Sequence, residues 1–176
     1  MGLSRAALMV RGAPKESMVT LAKNLGLLGP GAAMVREVSD QSEIGEDDYG
    51  VCSIGGWGML FSSSRPYLEN ELTEALSDIS CEHDVFFWLT QSTVAALWFE
   101  YHEKGKLRRK WVEAESEVHV NEGSPLAQEP PGLFSGARDE EGIRDEWRVL
   151  ELADEITGVS VASVFETPFD VYASGL

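Results

Sequence analysis

The segment from residue 85 to residue 120 constrains the fold more than any other part of the chain. It holds three strand-like stretches, residues 85–90, 93–102 and 107–120, rich in the aromatic and β-branched side chains that fit a pleated, half-buried surface. Between the second and third lies Lys104-Gly105, and glycine accepts the positive φ that a two-residue hairpin turn demands. The three stretches are therefore expected to form an antiparallel meander. With a regular turn, Glu100 faces Arg109 and Trp98 faces Trp111 on one side, while Tyr101 faces Arg108 and Phe99 faces Lys110 on the other. The first strand of this hairpin is apolar on both faces, so it is expected at the centre of the sheet with cover on each side; the second is more polar and nearer an edge.

Around this meander the pattern alternates strands and helices. Residues 6–10 read as a short buried strand, followed by Pro14 and by Met18, Leu21, Ala22 and Leu25 at helical spacing, with Gly26 placed to end the helix. Residues 33–38 have strand character and run into an acid-rich loop holding Glu37, Asp40, Glu43, Glu46, Asp47 and Asp48. Residues 51–53 and 57–61 flank Gly55-Gly56 as two short strands. Ser64 and Pro66 introduce a second helix lined by Leu68, Leu72, Ala75, Leu76 and Ile79. After an excursion marked by Pro125, Pro130, Pro131 and Gly132, the acids Asp139, Glu140 and Glu141 open a third helix, lined by Ile143, Trp147, Leu150, Ala153 and Ile156 and ended by Gly158. Residues 159–172 are apolar and β-prone apart from Pro168, and are expected as a last strand or an irregular arm. The expected fold is one α/β domain of the α+β type over residues 1–176. It has a mixed, largely antiparallel sheet with a central hairpin or meander, packed by about three helices.

Charge narrows the partners. Against 14 Lys and Arg the chain carries 30 Asp and Glu, a formal net charge of -16. Phosphate and anionic lipid surfaces are bound by basic patches, so neither nucleic acid nor membrane is expected as a direct partner, and a basic protein fits better. An acidic surface also simply keeps a protein soluble, and that explanation competes with any binding role. Cys52 and Cys81 are the only cysteines, with no CxxC or CxxH spacing, which points to a reducing cytoplasm rather than a disulfide scaffold. The apolar run at residues 6–10 is closed by Arg11 and is too short for an export signal or a membrane span.

Catalytic signatures are absent: there is no GxSxG elbow, P-loop, HExxH or GxGxxG, so no enzyme activity and no cofactor are expected. Cys81 and His83, two apart with Glu82 and Asp84 beside them, are the minimum for a metal pair or a thiol with its base, although a plain helix-to-strand connection explains them as well. Along residues 111–119, Trp111, Glu113, Glu115, Glu117 and His119 alternate with Val112, Ala114, Ser116 and Val118, which in one strand puts all three glutamates on one face. Such a face blunts an edge strand against aggregation. Behind that reading come an acidic docking ladder with Trp111 as its aromatic anchor and, last, a divalent-cation site, which carboxylates diverging along a twisted strand without a glycine-bearing ligand loop fit least well. The cluster Lys104, Lys106, Arg108, Arg109 and Lys110 is a nucleic-acid patch or, more simply, cross-strand neutralisation of Glu100 and Glu103.

One resemblance adds to these readings. The order Gly55-Gly56-Trp57, a helix introduced by Ser64-Arg65-Pro66, paired strands, Gly105-Lys106-Leu107-Arg108-Arg109, and then Asn121-Glu122-Gly123-Ser124-Pro125-Leu126 with Glu129 resembles small bacterial proteins. Some of these act as immunity proteins of polymorphic toxin systems, including contact-dependent and type VI secretion systems. The likeness covers residues 50–131. It implies a cytoplasmic inhibitor that binds a cognate toxin, with a basic nuclease the natural target because carboxylates can stand in for phosphates. Under that reading the toxin interface comprises Glu43, Glu46, Asp47 and Asp48, Trp111 with Glu113, Glu115 and Glu117, and Asp139, Glu140 and Glu141. The alternatives are a small metal- or thiol-dependent enzyme built on Cys81 and His83, or an acidic scaffold that mimics DNA.

Overall fold

The computed structural model describes residues 4–63, 71–115, 117–129 and 145–174. In chain order its elements are β1 (Ser4–Arg11), α1 (Lys15–Asn24), β2 (Met34–Val38), β3 (Asp48–Ile54), β4 (Trp57–Ser62), α2 (Glu71–Ile79), β5 (Val85–Gln91), β6 (Ala96–Glu103), β7 (Lys106–Ala114), β8 (Glu117–Glu122), α3 (Asp145–Thr157), α4 (Val161–Phe165) and β9 (Phe169–Ala173). Short 3-10 turns lie at Gln41–Glu43 and Ser92–Val94.

All nine strands join one sheet in the order β2-β9-β3-β4-β1-β5-β6-β7-β8. Its middle, β4, β1 and β5, is apolar on both faces because helices cover both. On one face Ala7, Met9, Met59, Phe61, Phe86 and Trp88 pack with Val149, Leu152, Ala153 and Ile156 of α3. On the other, Ala6, Leu8, Val10, Leu60, Val85, Phe87 and Leu89 pack with Met18 and Ala22 of α1 and Leu72 and Leu76 of α2. Each large side chain so buried contributes about 1.5–3 kcal/mol, which makes these two layers the main source of stability. Close approach is built in at Gly58, where a Cβ would stand 2.6 Å from both the Ala13 carbonyl oxygen and Met18 Cγ.

Several expectations are corrected. The described residues hold four helices rather than about three, α4 coming from the tail. The sheet is antiparallel at every pairing rather than mixed. The 104–105 hairpin lies towards one edge, and the centre belongs to β1. Its turn does form as expected, with φ positive at both Lys104 (53°) and Gly105 (71°), the requirement of a type I′ turn. A bulge between Tyr101 and His102 then shifts the register by one, so Phe99 faces Trp111 and Glu100 faces Lys110. The stretch 107–120 is two strands, not one, with Ala114 paired to Glu117 across a turn at Glu115, whose φ is +50°. The acid-rich loop is shorter than expected, since β3 already begins at Asp48. The tail's strand β9 inserts between β2 and β3.

Candidate functional site

Glu100 stands out because a carboxylate inside the aromatic strand Ala96–Glu103 is placed on a sheet face under α2 and is fully buried. Its partners come from three elements. Thr73 Oγ1 on α2 and Trp98 Nε1 on β6 donate to its Oε1 at 2.8 and 3.0 Å. Lys110 Nζ on β7, brought opposite by the bulge, is 2.8 Å from the same oxygen and donates to Thr73 Oγ1 at 2.8 Å. His102, two residues along the same face and also fully buried, has Nε2 2.8 Å from Glu100 Oε2. Its Nδ1 is 3.1 Å from Ser77 Oγ on the next turn of α2.

One proton assignment satisfies every member with a neutral ring: His102 donates from Nε2 to the carboxylate and accepts at Nδ1 from the Ser77 hydroxyl. Burial works against the Glu100 charge, but the hydrogen bonds from His102 and Lys110, the Lys110 charge and the Thr73 hydroxyl outweigh it and hold the carboxyl below its ordinary range. Serine, histidine and carboxylate here follow the nucleophile–base–orienter order of covalent hydrolases. The chemistry is nevertheless closed, because His102 has no exposed surface and both Glu100 oxygens are committed to other donors. What the cluster does is tie α2 to β6 and β7.

A second buried ion pair lies on the opposite face. Arg109, 2% exposed, donates to Glu129 Oε1 at 2.8 Å, to Asn121 Oδ1 at 2.5 Å and to the Glu122 carbonyl at 3.3 Å, and its guanidinium lies 5.4 Å from the Trp111 ring centroid. Glu129 in turn accepts from the Leu126 amide at 3.0 Å. Residues 121–126 are thereby folded around one guanidinium. Lys110 and Arg109 neutralise Glu100 and Glu129 from opposite faces, and Arg108 and Lys104 lie 3.5 and 3.4 Å from Glu103. Lys104, Arg108, Arg109 and Lys110 of the basic cluster are thus drawn into internal pairing.

The interface residues expected from sequence scatter. Trp111 is 3% exposed and belongs to the core with Phe99, not to a surface anchor; its Nε1 donates to Glu113 Oε2 at 3.2 Å. Residues paired across a hairpin share a face, so Glu117, opposite Ala114, lies on the face away from Glu113, and the single-faced ladder of Glu113, Glu115 and Glu117 does not form. Glu115 sits in the turn, its amide donating to the Val94 carbonyl. In the 43–48 loop, Glu43 accepts from the Ser39 amide and hydroxyl, and Asp48 pairs with Arg36 at 2.8 Å. Glu46 and Asp47 are exposed. Asp139, Glu140 and Glu141 lie outside the described residues. Cys81 is exposed and His83 half-buried in the connection between α2 and β5, and Cys81 Sγ is 3.8 Å from the Ser77 carbonyl. Among the described residues no group of three or more His, Cys, Asp or Glu is placed to hold a metal ion, and no helix is long and apolar enough to cross a membrane.

The chain matches no family model, no curated protein and no solved structure.

Proposed function

We propose that this protein neutralises a basic protein partner, as an immunity protein neutralises its cognate toxin. The observation that carries the reading is how charge is divided between inside and outside. Arg11, Lys15, Arg36, Lys104, Arg108, Arg109 and Lys110 each stand within 3.5 Å of an acidic side chain of the same molecule. Exposed acids line the outer sides of both helical covers, Glu74 and Asp78 on α2 and Glu151, Asp154 and Glu155 on α3, as well as Glu115, Glu117 and Glu122 at the β8 edge. With a net charge of -16, such a surface accelerates encounter with a cationic protein by roughly ten-fold to a thousand-fold at low salt. The resemblance over residues 50–131 supplies the toxin as the partner, and a nuclease groove is the basic surface such carboxylates fit.

The test is genetic and then physical. Deleting this gene alone in its host is expected to be toxic, and deleting it together with the neighbouring gene is expected to restore growth. The two products should form a complex whose association slows steeply with added salt. Normal growth of the single deletion refutes the reading, and elution of a nucleic-acid-binding protein with no toxin activity replaces it with a DNA-mimic role.

A further inference from the structure

Among the described residues no strand lies beyond β8, so the outer row of backbone N–H and C=O groups along Glu117–Glu122 has no ladder to join. An edge of this kind is a template for an extended segment of another chain. Both faces of β8 are open as well: all of its residues are exposed except the half-buried Val120, and Val118 is 42% exposed. A bulge takes His119 out of the alternation. Glu117, Val120 and Glu122 therefore stand opposite Ala114, Val112 and Lys110 and share one face, with Val118 and Asn121 on the other.

That row lacks its counter-charges. Glu100, Glu103 and Asp48, on other strands of the sheet, each have a cation within 3.5 Å. Glu117 and Glu122 have none among the described residues: Ala114, opposite Glu117, carries no charge, and Lys110, opposite Glu122, holds its ammonium 2.8 Å from Glu100 instead. β7 does not neutralise them, and a strand on the open side of β8 can. A second copy of β8 would set glutamate against glutamate in either direction, which is destabilising, so the edge selects a different, cationic chain. The other edge, β2, has no such row, since its one acid, Glu37, adjoins Arg36.

We infer that β8 receives an extended segment of the basic partner as an added strand, with Lys or Arg, a small aliphatic residue, and Lys or Arg at alternate positions facing Glu117, Val120 and Glu122. The inference rests on the basic partner proposed above and names the surface that partner uses. Main-chain hydrogen bonds hold the segment, and the two charge pairs and Val120 select it. The basic–aliphatic–basic pattern reads the same in both chain directions, so it serves a parallel or an antiparallel strand.

The experiment titrates the isotopically labelled full chain with the end-blocked peptide Thr-Lys-Ile-Val-Thr-Lys-Thr. It is expected to move the amide resonances of residues 117–122 and to leave those of residues 34–38 unmoved. With peptide at about five times its Kd, the β8 amides that bond it should exchange with solvent about six-fold more slowly, the factor being 1 + [L]/Kd. The peptide Thr-Lys-Ile-Val-Lys-Thr-Thr, of equal composition with one lysine moved to the other face, should bind more weakly. Joint Glu117→Gln and Glu122→Gln replacement, at two exposed positions, should weaken the first peptide by about two-fold to thirty-fold, from roughly 0.2–1 kcal/mol for each cross-strand charge pair. No response at residues 117–122, an equal response at residues 34–38, equal affinity for the two peptides, or undiminished binding to the double variant overturns the inference. The peptide needs no toxin, so a silent β8 removes the docking strand and leaves the genetic test of the immunity role standing, whereas normal growth of the single deletion removes that role and leaves the peptide result standing.

Discussion

Replacing Glu100 separates the two things its carboxylate does, which are to carry charge and to accept four hydrogen bonds. In Glu100→Leu the Trp98 and Thr73 donors, the His102 Nε2–H and the Lys110 ammonium all lose their acceptor inside the protein. Removing one partner of a buried pair costs about 3–5 kcal/mol. Lys110 is 15% exposed and can turn partly to water, so the lower end, about 3 kcal/mol, is expected. For a chain of this size that is a fall in Tm of roughly 6–12 °C. Glu100→Gln differs: its amide oxygen still accepts from Thr73, Trp98 and Lys110, and its amide nitrogen can donate to His102 once the ring moves its proton to Nδ1 and donates to Ser77. Only the ionic part is lost, about 1–2 kcal/mol. Urea unfolding followed by tryptophan fluorescence measures both, with the m-value expected to stay constant. Because the folded carboxyl titrates below the ordinary value of 4.5, the stabilisation over Glu100→Gln is fully present above that pH and is lost as pH falls through the depressed value. A Glu100→Leu cost under about 1 kcal/mol at pH 7, or equal costs for the two variants, refutes the reasoning.

Four further outcomes follow from described features. Arg109→Met frees the segment it organises and should make Glu122 and Glu129 markedly faster targets for a glutamate-specific protease; unchanged cleavage removes the anchoring role. A thiol reagent at pH 8 should modify Cys81 quickly and Cys52 only after unfolding, because Cys52 is 2% exposed and burial pushes its thiol up to about 12; two fast thiols in the native protein contradict the packing of β3. Asp78→Lys, in a last turn of α2 that holds no basic residue, should stabilise by about 0.3–1 kcal/mol at low salt and less at high salt, read as the urea midpoint. Gly58→Ala should destabilise by about 1–3 kcal/mol, since its Cβ would push against the Ala13 carbonyl and Met18 under α1; a neutral effect on the urea midpoint means that α1 does not press on β4 as described.

Much of the fold was legible because local signals and burial agree. The double-sided apolar runs of β1 and β5, the Lys104-Gly105 turn and the stripes of α1 and α2 each state one element. Two kinds of information were not local. A bulge is a one-residue event, and with it the Glu100 partner changes from Arg109 to Lys110; no periodicity announces it. The turn at Glu115 uses a residue with no special tolerance for positive φ, so the alternation through 111–119 looked like one strand when it was two. The buried cluster had a sequence trace in Glu100, an acid within an aromatic strand, and in His102 two residues on. Its helix partners Thr73 and Ser77 had none, because a threonine and a serine four apart on an amphipathic helix are ordinary. Trp111 was misplaced for the same reason as the ladder: with strands on both sides of β7, an alternating pattern does not say which face is covered.

The position of β9 sets an order of events during synthesis. Among the described residues β2 pairs only with β9, and β3 has its second neighbour only when β9 arrives. More than a hundred residues separate β3 from β9, roughly ten seconds of translation. Throughout that interval the nascent chain holds residues 34–38 with no partner strand and leaves one edge of β3 open. The half of the molecule that begins early is therefore completed late, and a chaperone that shields that open edge would act before the helix α3 has even been made.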